Sequence, residues 1–196
     1  MCSGMGWRAG VGVCRRPVAG AGAHQCRLAI IKLAQVCPNS YFVGYDQFEP
    51  EIAHATANAQ VAGVADRVRF QPLDASGGLP AQYDVVTTFD VVHDAVDPRG
   101  LLRAIRHALQ PNGLYVCLET NCSDKLEENT GPLAALFHGI SLFYCLTTSL
   151  AHGGEGLGTL GLPEPKLREL CLAAGLSRMR RVPLQNPFNT LYEIRP

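Results

Sequence analysis

From residue 28 onward, apolar positions alternate between two rhythms, and each change of rhythm marks a new element. In "LAIIKLAQV", Leu28, Ile30, Ile31, Leu33 and Ala34 recur at helical spacing until Pro38 stops the run. "YFVGYD" (Tyr41 to Asp46) is short and β-rich. "PEIAHATANAQVAG" opens with Pro50 and closes with Gly63, the asymmetry expected of helix ends. "VRFQPLD" (Val68 to Asp74) reads as a strand with Pro72 near its end, since proline cannot donate to a ladder. "YDVVTTFD" (Tyr83 to Asp90) is a nearly continuous β-branched run, which suits a strand covered on both faces.

The rhythm then turns helical again. Asp97 can cap and Pro98 can open a helix that carries Leu101, Leu102, Ile105, Ala108 and Leu109 on one side, ended by Pro111-Asn112-Gly113. "LYVCLET" (Leu114 to Thr120) reads as another buried strand. Helical spacing returns at Leu167, Leu170, Cys171 and Ala174, with Gly175 as its C-terminal cap. "MRRVPLQ" and "NTLYEI" close the chain as two strands joined by "NPF". So short a link can join antiparallel strands but cannot make a parallel crossover. The pattern predicts an α/β fold: a doubly wound, mostly parallel sheet with an antiparallel C-terminal strand pair.

Two segments stand outside this pattern. Residues 121–162 run from the polar "NCSDKLEENTGP" through an apolar helical stretch to "HGGEGLGTLG", which reads as a mobile insertion or lid on the substrate side. Residues 1–27 hold no sustained period of either kind, so the domain is expected to span 28–196, preceded by an atypical segment, frame-shifted or disordered. "VGVC" (Val11 to Cys14) and "PVA" (Pro17 to Ala19) are its two poor candidates for a first strand.

Composition narrows the function classes. The 196 residues carry 17 Lys plus Arg against 17 Asp plus Glu, so no basic field exists to hold a nucleic-acid backbone. The apolar run "ISLFYCLTTSLA" falls short of the ~20 residues a spanning helix needs, and the N-terminus has no signal-peptide core, so neither membrane nor export is expected and the protein is placed in the cytoplasm. None of the 8 cysteines forms a C-x-x-C pair, so they are expected to be buried apolar residues or idle thiols, and no metal site is expected.

Four strands end in or just before a carboxylate: Asp46, Asp74, Asp90 and Glu119. In open α/β sheets ligands bind beyond the carboxyl ends of the strands. Carboxylates only accept hydrogen bonds, so this edge suits a ligand rich in donors and positive charge and would repel a pyrophosphate.

The ordered set "GYD", "LDA", "FDVVHD" and "LQPNG" resembles the class I S-adenosylmethionine-dependent methyltransferases. The likeness covers residues 28–196 and is strongest to bacterial members whose catalytic domain follows a winged-helix dimerisation domain. It implies a Rossmann-like fold and S-adenosyl-L-methionine as cofactor. By the same resemblance, Asp46 would accept the ribose hydroxyls, Asp74 the adenine amino group with Ala75 leaving room for the ring, and Phe89 and Asp90 would line the methionyl part. His93 would stand at the mouth of the site, either against cofactor or substrate or simply capping a loop. The acceptor would be a small molecule, no catalytic residue is singled out, and His93, His138 and His152 are the available bases. A homodimer would need the winged-helix domain.

The family's glycine motif is where the match fails. At its spacing ahead of the ribose-binding acid the chain has Ala23, Gln25 and Arg27, and no Asp or Glu precedes Asp46. Gly20 and Gly22 lie too early, with His24 in the third slot, yet they are the glycines offered for cofactor binding. The expected activity is therefore methyl transfer to a small molecule, impaired by this motif. A catalytically inactive methyltransferase-like domain and an NAD(P)-dependent oxidoreductase are the alternatives, the latter weakened by the absence of a good G-x-G-x-x-G loop.

Overall fold

The computed structural model describes the backbone of residues 8–13 and 22–196 and the side chains of residues 28–196. Among the described residues, seven strands form one sheet: β1 (Arg8–Val13), β2 (Tyr41–Asp46), β3 (Val68–Pro72), β4 (Tyr83–Phe89), β5 (Leu109–Thr120), β6 (Arg178–Val182) and β7 (Asn189–Arg195). Among the described residues, six α-helices accompany them: α1 (Gly22–Val36), α2 (Glu49–Val61), α3 (Pro98–Ala108), α4 (Gly131–Ile140), α5 (Leu146–Ala151) and α6 (Glu164–Ala173). The strand order is β3-β2-β1-β4-β5-β7-β6. The first five strands are mutually parallel, and β7 runs antiparallel to both β5 and β6. The expected doubly wound sheet and its antiparallel end are both present.

The middle of the five parallel strands is β1, which pairs with β2 on one side and β4 on the other. It takes up part of the "VGVC" candidate and begins three residues before it. Helix α1 also begins well before Leu28, at Gly22. Gly22 therefore opens a helix that follows β1, while Gly20 lies outside the described residues.

Local signals set several boundaries. Asp97 accepts from Gly100 N–H at 2.7 Å and starts α3 at Pro98. Leu101, Leu102, Ile105 and Ala108 are buried as their spacing requires, in one core with Tyr115, Leu167, Leu170 and Cys171. A smaller core joins Ile30, Ile31 and Ala34 of α1 to Phe42, Ala59 and Val68. Leu28, counted on that face by spacing, is 43% exposed. The Pro-Asn-Gly turn does not end α3. The helix stops at Ala108, and β5 already begins at Leu109, whose partner is Tyr83.

Residues 121–162 depart most from their expected form. A π-helical turn, Ser141–Cys145, joins α4 to α5, so the helix runs unbroken from Gly131 to Ala151. These 21 residues reach the length and mean hydropathy of a membrane-spanning helix, which the shorter run read from sequence did not. Ala134, Phe137, Cys145 and Ser149 are nevertheless buried against the domain. The glycine-rich stretch after it is pinned rather than free. Glu155 N–H donates to Val96 O at 3.1 Å, and Gly156 N–H donates to Ser149 Oγ at 3.2 Å. Gly158 adopts φ +72, and a Cβ there would run into Ser141 Oγ.

Candidate functional site

The carboxyl ends of β3, β2, β1, β4 and β5 share one edge of the sheet, and the four carboxylates lie along it. Asp46 ends β2, is buried, and accepts from Phe48 N–H at 2.9 Å. Asp74 follows β3 and is exposed. Its Oδ1 accepts from Ser76 N–H at 3.0 Å and from Ser76 Oγ at 2.6 Å, which starts a short 3-10 turn over Ala75–Gly77. Leu73 N–H donates to Asp46 O at 2.9 Å and ties the two loops together, with Ala75 buried beside them.

Asp90 follows β4 with φ +54, the only positive value at a non-glycine among the described residues. Aspartate tolerates this left-handed conformation better than most residues because its short side chain can bond locally. Asn189 Nδ2 donates to Asp90 Oδ1 at 2.7 Å and brings the C-terminal strand to the site. Burial and then the Glu119 charge raise the Asp90 carboxyl to about 6, against the opposing pull of His93 and Asn189. Phe89 is partly buried and packs on the main core.

Beyond Asp90 the chain turns sharply, with Asp94 N–H bonded to Val91 O and Ala95 N–H to Val92 O. This turn delivers His93 to Glu119 at the end of β5. His93 Nδ1 lies 2.6 Å from Glu119 Oε2, while Val91 and Val92 N–H donate to Glu119 Oε1 at 3.2 and 2.8 Å. Both side chains are buried, so the carboxylate must find its partners inside the protein, and it does. Burial by itself would lower the His93 pKa. The Glu119 charge and the ring's hydrogen bonds to Cys145 and Glu119 outweigh it and lift the imidazole well above its ordinary range.

One ligand-capable atom from each of Asp90, His93 and Glu119 falls within 4.8 Å of the others. At 2.6 Å, the His93 to Glu119 separation is that of a hydrogen-bonded pair, and Glu119 Oε1 already serves two N–H donors. The cluster is built as a proton-holding network. Of the sequence candidates, Asp46, Asp74 and Ala75 gather on the β2–β3 side, and Phe89, Asp90 and His93 on the β4–β5 side. His138 and His152 do not join them. Both are exposed, and His152 Nδ1 is 2.8 Å from Thr148 O.

Sequence reasoning missed two partnerships. Asn189 is 99 residues from Asp90, and nothing in the spacing links them. Glu119 was visible as a strand-end acid, but its bond to His93 was not. Cys145, expected to be a buried apolar residue or an idle thiol, is buried as expected, yet it helps to raise the His93 pKa.

A methyltransferase-domain family model matches residues 20–115. A ubiquinone biosynthesis O-methyltransferase from Ruegeria pomeroyi is 32% identical over 83 residues, which are 42% of this chain and 34% of that protein. The fold is similar to solved structures at 20% identity. The mitomycin 7-O-methyltransferase MmcR has a TM-score of 0.72 over 97% of this chain and 49% of its own. PigF with SAH has a TM-score of 0.69 over 97% and 51%. An O-methyltransferase family 2 protein from Planctomyces limnophilus in complex with apigenin has a TM-score of 0.69 over 95% and 50%. The chain thus spans about a third of the curated relative and about half of these structures.

Proposed function

From the premise that this chain carries the class I, S-adenosylmethionine-dependent methyltransferase domain, we propose that it methylates a hydroxyl oxygen on a small-molecule acceptor. One observation carries the reading: a single sheet edge holds two carboxylates at the ends of β2 and β3 and, at the ends of β4 and β5, a buried histidine–glutamate pair. The relatives' own names, O-methyltransferases, favour oxygen as the accepting atom. The chain's zero net charge favours a small molecule over a nucleic acid, and the composition is compatible with the cytoplasm.

The residues fit the cofactor's chemistry. Asp46 and Asp74 are acceptors suited to the ribose diol and the adenine amino group, and buried Ala75 leaves a small-residue floor between them. The cofactor, when bound, supplies an electrophilic methyl group on a sulfonium. The remaining work belongs to the protein: positioning the acceptor and taking its proton. His93 is the group placed for that proton, with Glu119 holding Nδ1 and stabilising the charged imidazole. Because the His93 pKa is raised, its basic form becomes populated only above the ordinary histidine range, and turnover should rise with pH there. The insertion at 121–162 would cover the acceptor.

Isothermal titration with S-adenosylmethionine and S-adenosylhomocysteine tests the assignment. Binding should be measurable and should weaken at least tenfold in Asp46→Ala, the loss of roughly one charge-assisted hydrogen bond or more. An unaltered chain that binds neither compound would identify an inactive domain, with the altered glycine motif as the first suspect. Preferential binding of a nicotinamide dinucleotide would overturn the family's chemistry for this site.

A further inference from the structure

The two acids at the ends of β4 and β5 differ in what they have left to offer a ligand. Glu119 spends both oxygens inside the protein, Oε1 on the N–H groups of Val91 and Val92 and Oε2 on His93. Asp90 spends one. Its Oδ1 accepts from Asn189 Nδ2 at 2.7 Å, and among the described residues no N–H or O–H donates to Oδ2. On this half of the edge, Asp90 is the acid with an oxygen to give.

We propose that Asn189 is a positioning residue for Asp90, holding its carboxylate toward the amino-acid end of the cofactor. The ligand side of the proposal rests on the methyltransferase reading, whereas the grip of Asn189 on Asp90 does not.

Both ends of the contact are fixed by backbone. Asp90 N–H donates to Leu118 O at 2.8 Å, which ties the left-handed residue at the end of β4 to β5. Asn189 is the first residue of β7 and pairs with Thr120 of β5. Its chain neighbours are held as well. Phe188 O accepts from Asn121 N–H at 2.8 Å, and Thr190 Oγ1 donates to Asn121 Oδ1 at 3.1 Å. A side chain presented by a strand with both neighbours tied holds its partner more precisely than one on a free loop.

Chemistry explains why the holder is an amide. A lysine or arginine in its place would pair with Asp90 and cancel its charge. An amide N–H fixes one oxygen and leaves the carboxylate negative, ready for a cation. S-adenosylmethionine carries one in the ammonium of its amino-acid end. Asp46 and Asp74 suit the ribose and adenine at the ends of β2 and β3, and β4 lies beyond β1, two strand spacings or about 10 Å from β2. A cofactor lying along that edge across β1 would bring its amino-acid end to Asp90. The charged groups facing Asp90 are Glu119 from β5 and His93 from its own turn, while Asn189 from β7 is neutral.

The test compares two probes on the full chain. S-adenosylhomocysteine and 5′-methylthioadenosine share the adenosine and the sulfur, and only the first carries the amino-acid end. In calorimetry above pH 7, Asn189→Leu should weaken S-adenosylhomocysteine by about threefold or more and leave methylthioadenosine unchanged. Asn189→Gln, which keeps an amide donor, should recover part of that loss. Equal losses for the two probes would overturn the proposal, because a merely structural role does not distinguish them. The grip itself is read without cofactor, by carbon NMR of labelled aspartate carboxyls, with Asp90→Asn used to assign the signal. Asp90 should titrate at about 6 in the unaltered chain. Losing a donor disfavours the charged form, so the midpoint should lie about half a pH unit or more higher in Asn189→Leu. An unmoved midpoint overturns the proposal as well. If the unaltered chain binds neither probe while the midpoint moves as stated, the cofactor reading fails and the grip of Asn189 on Asp90 stands.

Discussion

Asp46 and Asp74, on one half of the site, take backbone donors only two residues along the chain, from Phe48 and Ser76. On the other half, Glu119 is bonded to residues 26, 27 and 28 positions away, and Asp90 to one 99 positions away. The first pair are loop acids that organise their own turns. The second pair are structural junctions, where β4, β5, β7 and the insertion meet. The exposed Asp74 can be removed at small cost to the fold, because its donors can turn to water. A carboxylate held at long range and buried cannot, because its removal leaves several groups unsatisfied at once.

Removing Glu119 should break this contrast most sharply. Glu119→Ala would strand His93 and two N–H groups in the interior, and should cost about 3–5 kcal/mol in urea denaturation. The sign of its pH dependence follows from His93. Its folded pKa is raised, so the pair's contribution is complete below the ordinary histidine value of 6.5 and is lost as pH rises through the higher folded value. The gap between wild type and variant should therefore be widest near pH 6 and narrow on the alkaline side.

The glycine-rich segment offers the next largest effect. Gly158→Ala places a side chain at φ +72 against Ser141 and should cost about 1–3 kcal/mol. Faster amide exchange at Thr159 and Glu155 would locate the damage in the insertion. A loss of that size confined to the insertion would mark it as part of the long-range half.

Asp90→Asn should change stability in the opposite direction. The native carboxyl is raised from 3.8 to about 6, so ionising it weakens the fold as pH climbs between those values. Asparagine keeps an acceptor for Asn189 and suits positive φ without that penalty. A gain on the order of 1–2 kcal/mol above pH 7, absent below pH 4, is expected in thermal melts. Because the edge also serves binding, the same variant should be less active.

Asp74→Ala should have the smallest effect on the fold. It removes the cap of one exposed turn, worth about 0.5–1 kcal/mol. Cofactor affinity should fall well beyond what that figure explains, as read by calorimetry. A stability loss as large as that of Glu119→Ala would erase the distinction between the two halves.

Much of this was legible in the residues themselves. β2 begins and ends where "YFVGYD" does, and α3 begins at the proline after its capping Asp97. Such boundaries rest on neighbours a few positions apart, so a local pattern suffices. Strand β1 was much harder to see. Arg8–Val13 lies in a glycine-rich stretch whose β-propensity is poor, and its place is fixed by pairing with β2 and β4 on either side. The insertion was misjudged for a similar reason. Its glycines read as freedom, yet at Gly154 a Cβ would come within 2.7 Å of Val96 backbone atoms, so the glycine there allows tight contact.

The sequence by itself determined the alternation of elements, the parallel sheet with its antiparallel end, and the row of acids at the strand ends. Those depend on periodicity and on the chemistry of single residues. Only the tertiary structure decided which acids are partners: Asp46 and Asp74 accept from N–H groups in their own loops, while Glu119 meets His93, and Asn189 reaches Asp90 from far along the chain. Contacts of that kind leave no period in a sequence, because they exist only once the sheet has ordered its strands.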